Sequence, residues 1–372
     1  MNIYFDNAAS TKVKPEVLDR FNEVTQNIYG NPSSEHTIGL SARKVIWDTQ
    51  DILSDKLGCL SDEIYFTSGA TMSNQLLIQG FAKKHPEGVF ITTSVEHNDI
   101  MLLLDDLQCY KFVVGVNKDG IINLEMLDKL LNYATNLMNV STLVSIQMAN
   151  SETGVVQPIQ QICGIVAKYP NTYLHMDATQ YIPYYPINMN CWGIDSISMS
   201  GQKIGGIKGS GLLVVRQELQ SHISPIIYGE QGLIGGTPST PLIASLGKAF
   251  ELLTYDTKSL KTKRDYMLDK ILELNGELVG IDTNRLPNNI LCRFPEINGL
   301  VLLHLLSDQG ICIGTGSACS TDSDKPSHVA IAYGLTEAEA FECVRFTLSD
   351  DNTYDDIDYT IKVLKGILDF LK

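Results

Sequence analysis

The stretch HMDATQY, residues 175–181, decides how the rest of the chain is read. A strand-like lead-in, Thr172-Tyr173-Leu174, runs directly into a carboxylate, Asp177, and Gln180 follows three residues later. An ionised carboxylate is costly to bury without a partner. A buried strand that ends on one therefore calls for a protein cation, solvent, or something the protein holds. Similar short runs lie on either side: Ile64-Tyr65-Phe66, Val89-Phe90-Ile91, Phe112-Val113-Val114, Leu143 to Ile146, Ser196-Ile197-Ser198 and Leu212 to Val215. Between most of them stand helix-length segments, 34–57, 71–83, 123–136 and 157–168. Such alternation predicts an α/β domain with a mainly parallel seven-stranded sheet flanked by helices.

After residue 255 the pattern changes. Residues 257–276 read as a long amphipathic helix, followed by an apolar run at 290–292, a helix near 299–308, a second apolar run at 311–313, a strand at 343–348 and a closing helix at 354–371. This predicts a second, smaller α+β domain, as does the length of 372 residues. The net charge of −15 argues against a nucleic-acid partner, which needs cations to meet phosphates. The densest basic run, Lys258, Lys261, Lys263 and Arg264, reads as a solvated helix face. No apolar stretch reaches the roughly 18 residues that span a bilayer, and the N-terminal stretch does not have the form of a secretory signal. The eight cysteines show no C-x-x-C and no zinc-ligand spacing, so neither a disulfide framework nor a metal site is expected. A reduced, cytoplasmic chain fits, with most thiols, Cys312 among them, in the core.

In open α/β sheets ligands bind beyond the carboxyl ends of the strands. Five of those ends carry small, polar or ionisable residues: TSGATMSN (67–74), TTSVEHN (92–98), QMANSETG (147–154), MDATQ (176–180) and MSGQKIGGIKG (199–209). In the first, Gly69 and Ala70 permit close backbone approach and Thr71 starts a helix, whose free amides suit a phosphate. In the last, Lys203 follows Ser200 and Gly201, small neighbours that leave room at a crowded amine. Taken alone, the first is an ordinary strand–turn–helix junction and Lys203 an ordinary surface lysine. Together with Asp177, 26 residues before Lys203, they form a holder for pyridoxal 5'-phosphate. The aspartate pairs with the protonated pyridine nitrogen, the lysine carries the cofactor and the helix start takes the phosphate.

Nine segments, in order along the whole chain, extend this reading: YFDNAAST (4–11), NPSSEHTIG (31–39), FTSGAT (66–71), VEH (95–97), GVVQPI (154–159), HMDATQ (175–180), SGQK (200–203), GSACS (316–320) and VRFTLS (344–349). They resemble the (NifS-like) cysteine desulfurases of the class V aminotransferase group, fold type I pyridoxal-phosphate enzymes. The resemblance implies a catalytic set of Lys203, His97 and Cys319, with His97 stacked on the cofactor ring and Cys319 the persulfide-forming thiol. It implies cofactor contacts from Ala70, Thr71, Ser151, Asp177, Gln180, Ser200 and Gln202, with Thr237 reaching the phosphate of a partner subunit in a homodimer. Asn31, Asn150 and Arg345 would line the substrate site, Arg345 clamping the carboxylate of L-cysteine with its planar fork. The implied organisation is an N-terminal arm, 1–14, packing with the small domain; a cofactor-binding domain, 15–255; and a small domain, 256–372, carrying the cysteine loop. Sulfur would pass to an acceptor protein, as in iron–sulfur cluster assembly.

Several positions depart from the family pattern. Gln202 stands where most members have histidine, Ser151 replaces an asparagine, Met72 a glutamate, and Ile234-Gly235-Gly236-Thr237 lacks the usual arginine. Leu348-Ser349-Asp350 likewise departs. These changes keep open a selenocysteine or cysteine lyase or a transaminase on the same fold, and a degenerate, non-catalytic sulfur-relay partner.

Overall fold

The structure, a computed structural model, describes residues 2–229, 232–281, 284–316 and 325–371. After a short strand β1 (Ile3–Tyr4), seven strands build the main sheet: β2 (Ile64–Thr67), β3 (Val89–Thr93), β4 (Tyr110–Val114), β5 (Thr142–Gln147), β6 (Thr172–Asp177), β7 (Ser196–Ser200) and β8 (Gly211–Val215). Their order is β2-β8-β7-β6-β5-β3-β4. All pairs are parallel except those made by β8, which runs antiparallel to both neighbours. Strands β3, β5 and β8 are buried along their whole length, which is why they read as continuous apolar runs rather than alternating ones. Ile91, Val144, Ile146, Leu174, Met176, Ile197 and Val214 join one core with Leu53 and Leu57 of the helix Thr37–Leu57 and Phe250 of the helix Thr240–Glu251.

The second unit is a four-stranded sheet of β9 (Glu277–Leu278), β10 (Asn289–Arg293), β12 (Gly314–Thr315) and β13 (Cys343–Thr347), in the antiparallel order β12-β13-β10-β9. Helices Lys258–Glu273, Gly299–Asp308 and Tyr354–Leu371 supply Met267, Ile271, Leu302, Leu306, Ile357 and Leu364 to its core. Arg264 corrects one expectation. It is 1% exposed inside the helix Lys258–Glu273, so the basic run there is not a uniformly solvated face. Cys312 is a second correction: it is half-buried, in β11 (Ile311–Cys312), rather than in the core. Cys59, Cys163, Cys292 and Cys343 are buried, and the described cysteines are free thiols.

The first residues belong physically to this second unit. β1 pairs in parallel with β11, Phe5 is fully buried edge-on to Phe346, and Thr347 in β13 accepts and donates backbone bonds with Asn7 and Phe5. Residues 6–11 then cross to the main sheet, where Thr11 bonds through both its amide and its hydroxyl to the Gln202 carbonyl. The arm therefore touches β13 on one side and the turn after β7 on the other, and the site lies between them.

Candidate active site

The carboxyl ends of β5, β6 and β7 lie level, with Gln147 opposite Asp177 and Asp177 opposite Ser198. At that level Asp177 is buried, and its two hydrogen bonds come from neutral groups: Nδ2 of Asn74 at 3.2 Å and the Thr179 amide at 2.9 Å. Burial, reinforced by the charge of Asp99, pushes the Asp177 carboxyl above its ordinary range. A cation placed against it would reverse that shift, which suits a protonated ring nitrogen.

Asn74 was not singled out by the sequence reading, yet it organises this corner. Its Nδ2 also reaches Asp99 Oδ2 at 3.4 Å, and its Oδ1 lies 3.1 Å from His175 Nε2. Ionised carboxylates only accept hydrogen bonds, so the amide nitrogen must face the two acids. The Asn74 oxygen then faces His175, which must donate through Nε2 and accept from Ser196 Oγ through Nδ1. Burial holds His175 neutral, down to about 3. The signal for Asn74 was its spacing: it follows Ala70 by four residues, on the same face of the helix Ala70–Lys84.

His97 precedes the helix Asn98–Asp106, with Nδ1 2.8 Å from Asp99 Oδ1 and 3.4 Å from the Asp99 amide. The shorter contact, to an acceptor, places a hydrogen on Nδ1. Burial raises Asp99, but its bonds from His97, Thr71 and the Ile100 amide outweigh that and hold the carboxyl below its ordinary value.

The helix Ala70–Lys84 begins at Gly69, whose φ of 153° suits glycine and which makes no side-chain cap. The Ala70 amide donates to Ser200 Oγ at 2.8 Å, joining the end of β7 to the helix start. Gly211 makes this approach possible, since a Cβ there would lie 2.5 Å from the Gly69 Cα. Helix-start amides beside a serine hydroxyl form a cradle for an anion. Lys203 ends the turn Gly201–Lys203, with Nζ 2.6 Å from the Ala8 carbonyl and 2.7 Å from that of Ala9. Gln180 Nε2 donates to the same Ala8 carbonyl at 3.0 Å. Beside these groups Thr179 Oγ1, Ser198 Oγ and Gln202 Oε1 are buried without a hydrogen-bond partner. A buried acid with neutral partners, an anion cradle, an amine and unsatisfied polar atoms together fit pyridoxal 5'-phosphate.

Arg345 reaches the site from β13. It is 2% exposed, with Nη1 3.1 Å from the Ser151 carbonyl and Nη2 2.7 Å from Asp6 Oδ1. Together with His97, Asn150, Ser151, Glu152, Gly316 and His328 it lines a small cavity. Asn150 is there for another reason than ligand contact alone: Nδ2 donates to the Val95 carbonyl, and Oδ1 accepts from the amides of Glu152 and Thr153, fixing the turn after β5. Two buried acids flank this cavity. Burial lifts Glu152 to about 7 against its bond from Ser327 Oγ, and lifts Glu96 to about 8 against bonds from Thr93 and the Gln147 amide.

Thr237 and Asn31 are not brought into this cluster within one chain. Thr237 lines a separate open groove with Pro32, Ser33, Trp47, Thr67, Met72 and Ile234, and Asn31 is exposed beside it, capping the Ser33 amide. Cys319 lies outside the described residues, which resume with Lys325.

The Aminotransferase class-V family matches residues 3–360. The cysteine desulfurase IscS of Dictyoglomus turgidum is 34% identical over all of this chain and 95% of its own length. Among solved structures, a NifS-like protein superposes with a TM-score of 0.91 at 30% identity, covering the whole of both chains. A structure of SspA in complex with cysteine superposes with a TM-score of 0.80 at 31% identity, over 93% of this chain and 98% of that one.

Proposed function

Because the chain belongs to the class V aminotransferase family, and within it is a pyridoxal-phosphate-dependent cysteine desulfurase, we propose that Lys203, His97, Arg345 and Cys319 take sulfur from L-cysteine and leave L-alanine. The observation that carries the assignment of residues is the convergence of Asp177, Lys203, His97 and the Gly69–Ala70 cradle at one end of the sheet.

Pyridoxal phosphate, when bound, supplies an electron sink for the substrate's α-carbon. Asp177, Gln180 and Lys203 would hold its ring, and Ala70, Thr71, Ser200 and Gln202 its phosphate. Asn74 and Thr179 keep the Asp177 carboxylate aimed. Arg345 takes the substrate carboxylate, with its plane fixed by the Ser151 carbonyl and Asp6. The Lys203 amine and His97 Nε2 carry protons, Asp99 holding the imidazole in one tautomer. The Cys319 thiolate forms a bond to the substrate sulfur as the carbon–sulfur bond breaks. The carbon keeps that electron pair and takes up a proton, giving alanine and a Cys319 persulfide. The persulfide sulfur then goes to an acceptor protein.

The groove around Thr237, with Trp47 56% exposed on its rim, supports a homodimer in which a second copy covers it. No described helix is long and apolar enough to cross a membrane. The test is a sulfide and alanine assay on purified, cofactor-loaded protein. Equimolar alanine and reducible sulfur are expected, whereas a keto acid would favour a transaminase. Cysteine consumption that does not need Cys319 would favour a lyase. A protein that takes up no cofactor would fit a non-catalytic partner.

A further inference from the structure

Asp6 satisfies Arg345 where the substrate carboxylate is to bind. Arg345 sits mid-strand in β13 and is almost fully buried, and Asp6 Oδ1 accepts from Nη2 at 2.7 Å. Asp6 is held rigidly. Phe5 before it is buried in the small-domain core, Asn7 Nδ2 donates to the Thr347 carbonyl at 2.8 Å, and the Ala8 amide donates to Thr347 Oγ1 at 2.9 Å. Gly314 faces Arg345 across the β12–β13 ladder. A Cβ on Gly314 would stand 2.7 Å from Asp6 Oδ1 and 2.8 Å from Arg345 Nη2, so only glycine leaves room for the pair. Residues of the same arm, Ala8 and Ala9, hold the Lys203 amine through their carbonyls.

A buried guanidinium with no counter-charge is strongly destabilising. Asp6 supplies that charge in the free enzyme. When a substrate carboxylate arrives, one guanidinium serves two carboxylates, and each weakens the other's hold. We infer that Asp6 is an internal competitor for the substrate carboxylate at Arg345, a residue that sets affinity for α-carboxylate substrates. The inference rests on the carboxylate-clamping role of Arg345 proposed above.

The test replaces Asp6 by Asn in the cofactor-loaded, full-length protein. Asparagine keeps the oxygen that accepts from Nη2 and removes the charge. KM for L-cysteine should fall about tenfold, with a smaller change in kcat. Binding of L-alanine, read from the visible absorbance of the loaded protein, should tighten in parallel. Cysteamine, which is cysteine without its carboxylate, should show no gain. A Tm below that of wild type, rising more steeply with added L-alanine, is expected too. An unchanged or higher KM and alanine Kd in Asp6→Asn would overturn the proposal, as would an equal gain for cysteamine. Asp6→Ser repeats the comparison if the asparagine variant does not fold. Arg345→Lys keeps the two readings apart: if it leaves the preference for L-cysteine over cysteamine intact, the clamp itself is wrong. If that preference collapses while Asp6→Asn changes nothing, only the competition is wrong.

Discussion

Asp177 and Asn74 show how a side chain far away in sequence positions a buried carboxylate. Asn74 donates to both Asp177 and Asp99 and is itself aligned by His175. Asn74→Ala removes one of the two hydrogen bonds that support the Asp177 carboxylate. The expected loss in kcat/KM is about 10- to 100-fold, in the range for partners that orient a site's direct ligands, with weaker cofactor retention on dialysis as the check. Glu96 and Glu152 make a different prediction. Their carboxyls are lifted to about 8 and about 7 from an ordinary 4.5. A group raised in the folded state gives stability that is complete below its unfolded value and is lost as pH rises through the folded one. Relative to Glu96→Gln, the wild type should therefore lose stability steadily between about pH 4.5 and 8. Denaturant midpoints measured in parallel across that window check it, and parallel curves for the two proteins would contradict it.

Among the elements, the arm and the β2–β8 edge carry the most consequence. Phe5 fills the small-domain core while its neighbours Asp6, Ala8 and Ala9 touch Arg345 and Lys203. Phe5→Ala should cost about 3–5 kcal/mol by the usual scale for buried phenylalanine. Because the arm is shared, it should also lower activity under conditions where the protein is still folded, as circular dichroism and an alanine assay run together would reveal. Gly211→Ala drives a methyl toward the Gly69 backbone at 2.5 Å. The loop must retreat, so the fold should survive with much weakened cofactor binding, read by titrating the apoprotein. The strands were legible because each is a short run rich in β-branched and other apolar residues, and all seven runs named from sequence fall in the main sheet. The antiparallel sense of β8 was not legible, because its run GLLVV reads the same in either direction. Nor was the burial of Arg264, which depends on what packs across its helix rather than on the residues beside it.

At the scale of the molecule, the site is assembled from parts that sequence order keeps far apart. The residues on β6, β7 and the helix Ala70–Lys84 could be read from strand-end positions, because parallel sheets gather those ends at one edge. The long-range side-chain contacts within each unit could not. Asp6 and Arg345 are separated by 339 positions, Asn74 and Asp177 by 103, and neither pair leaves a local periodicity. Thr237 and Asn31 fall on an outer groove of the single chain, a placement that supports a site completed by a second copy. Thr237→Ala should then weaken cofactor binding while leaving the single-chain fold unchanged, and sedimentation alongside cofactor titration checks both halves of that expectation.

The proposed chemistry turns on Cys319 as sulfur acceptor. The direct measurement is single-turnover alanine release from L-cysteine, run side by side on wild type and Cys319→Ala with equal bound cofactor. Stoichiometric alanine from the wild type and none from the variant is the predicted result. Equal alanine from both proteins would contradict it and move the chemistry to a lyase that needs no protein thiol.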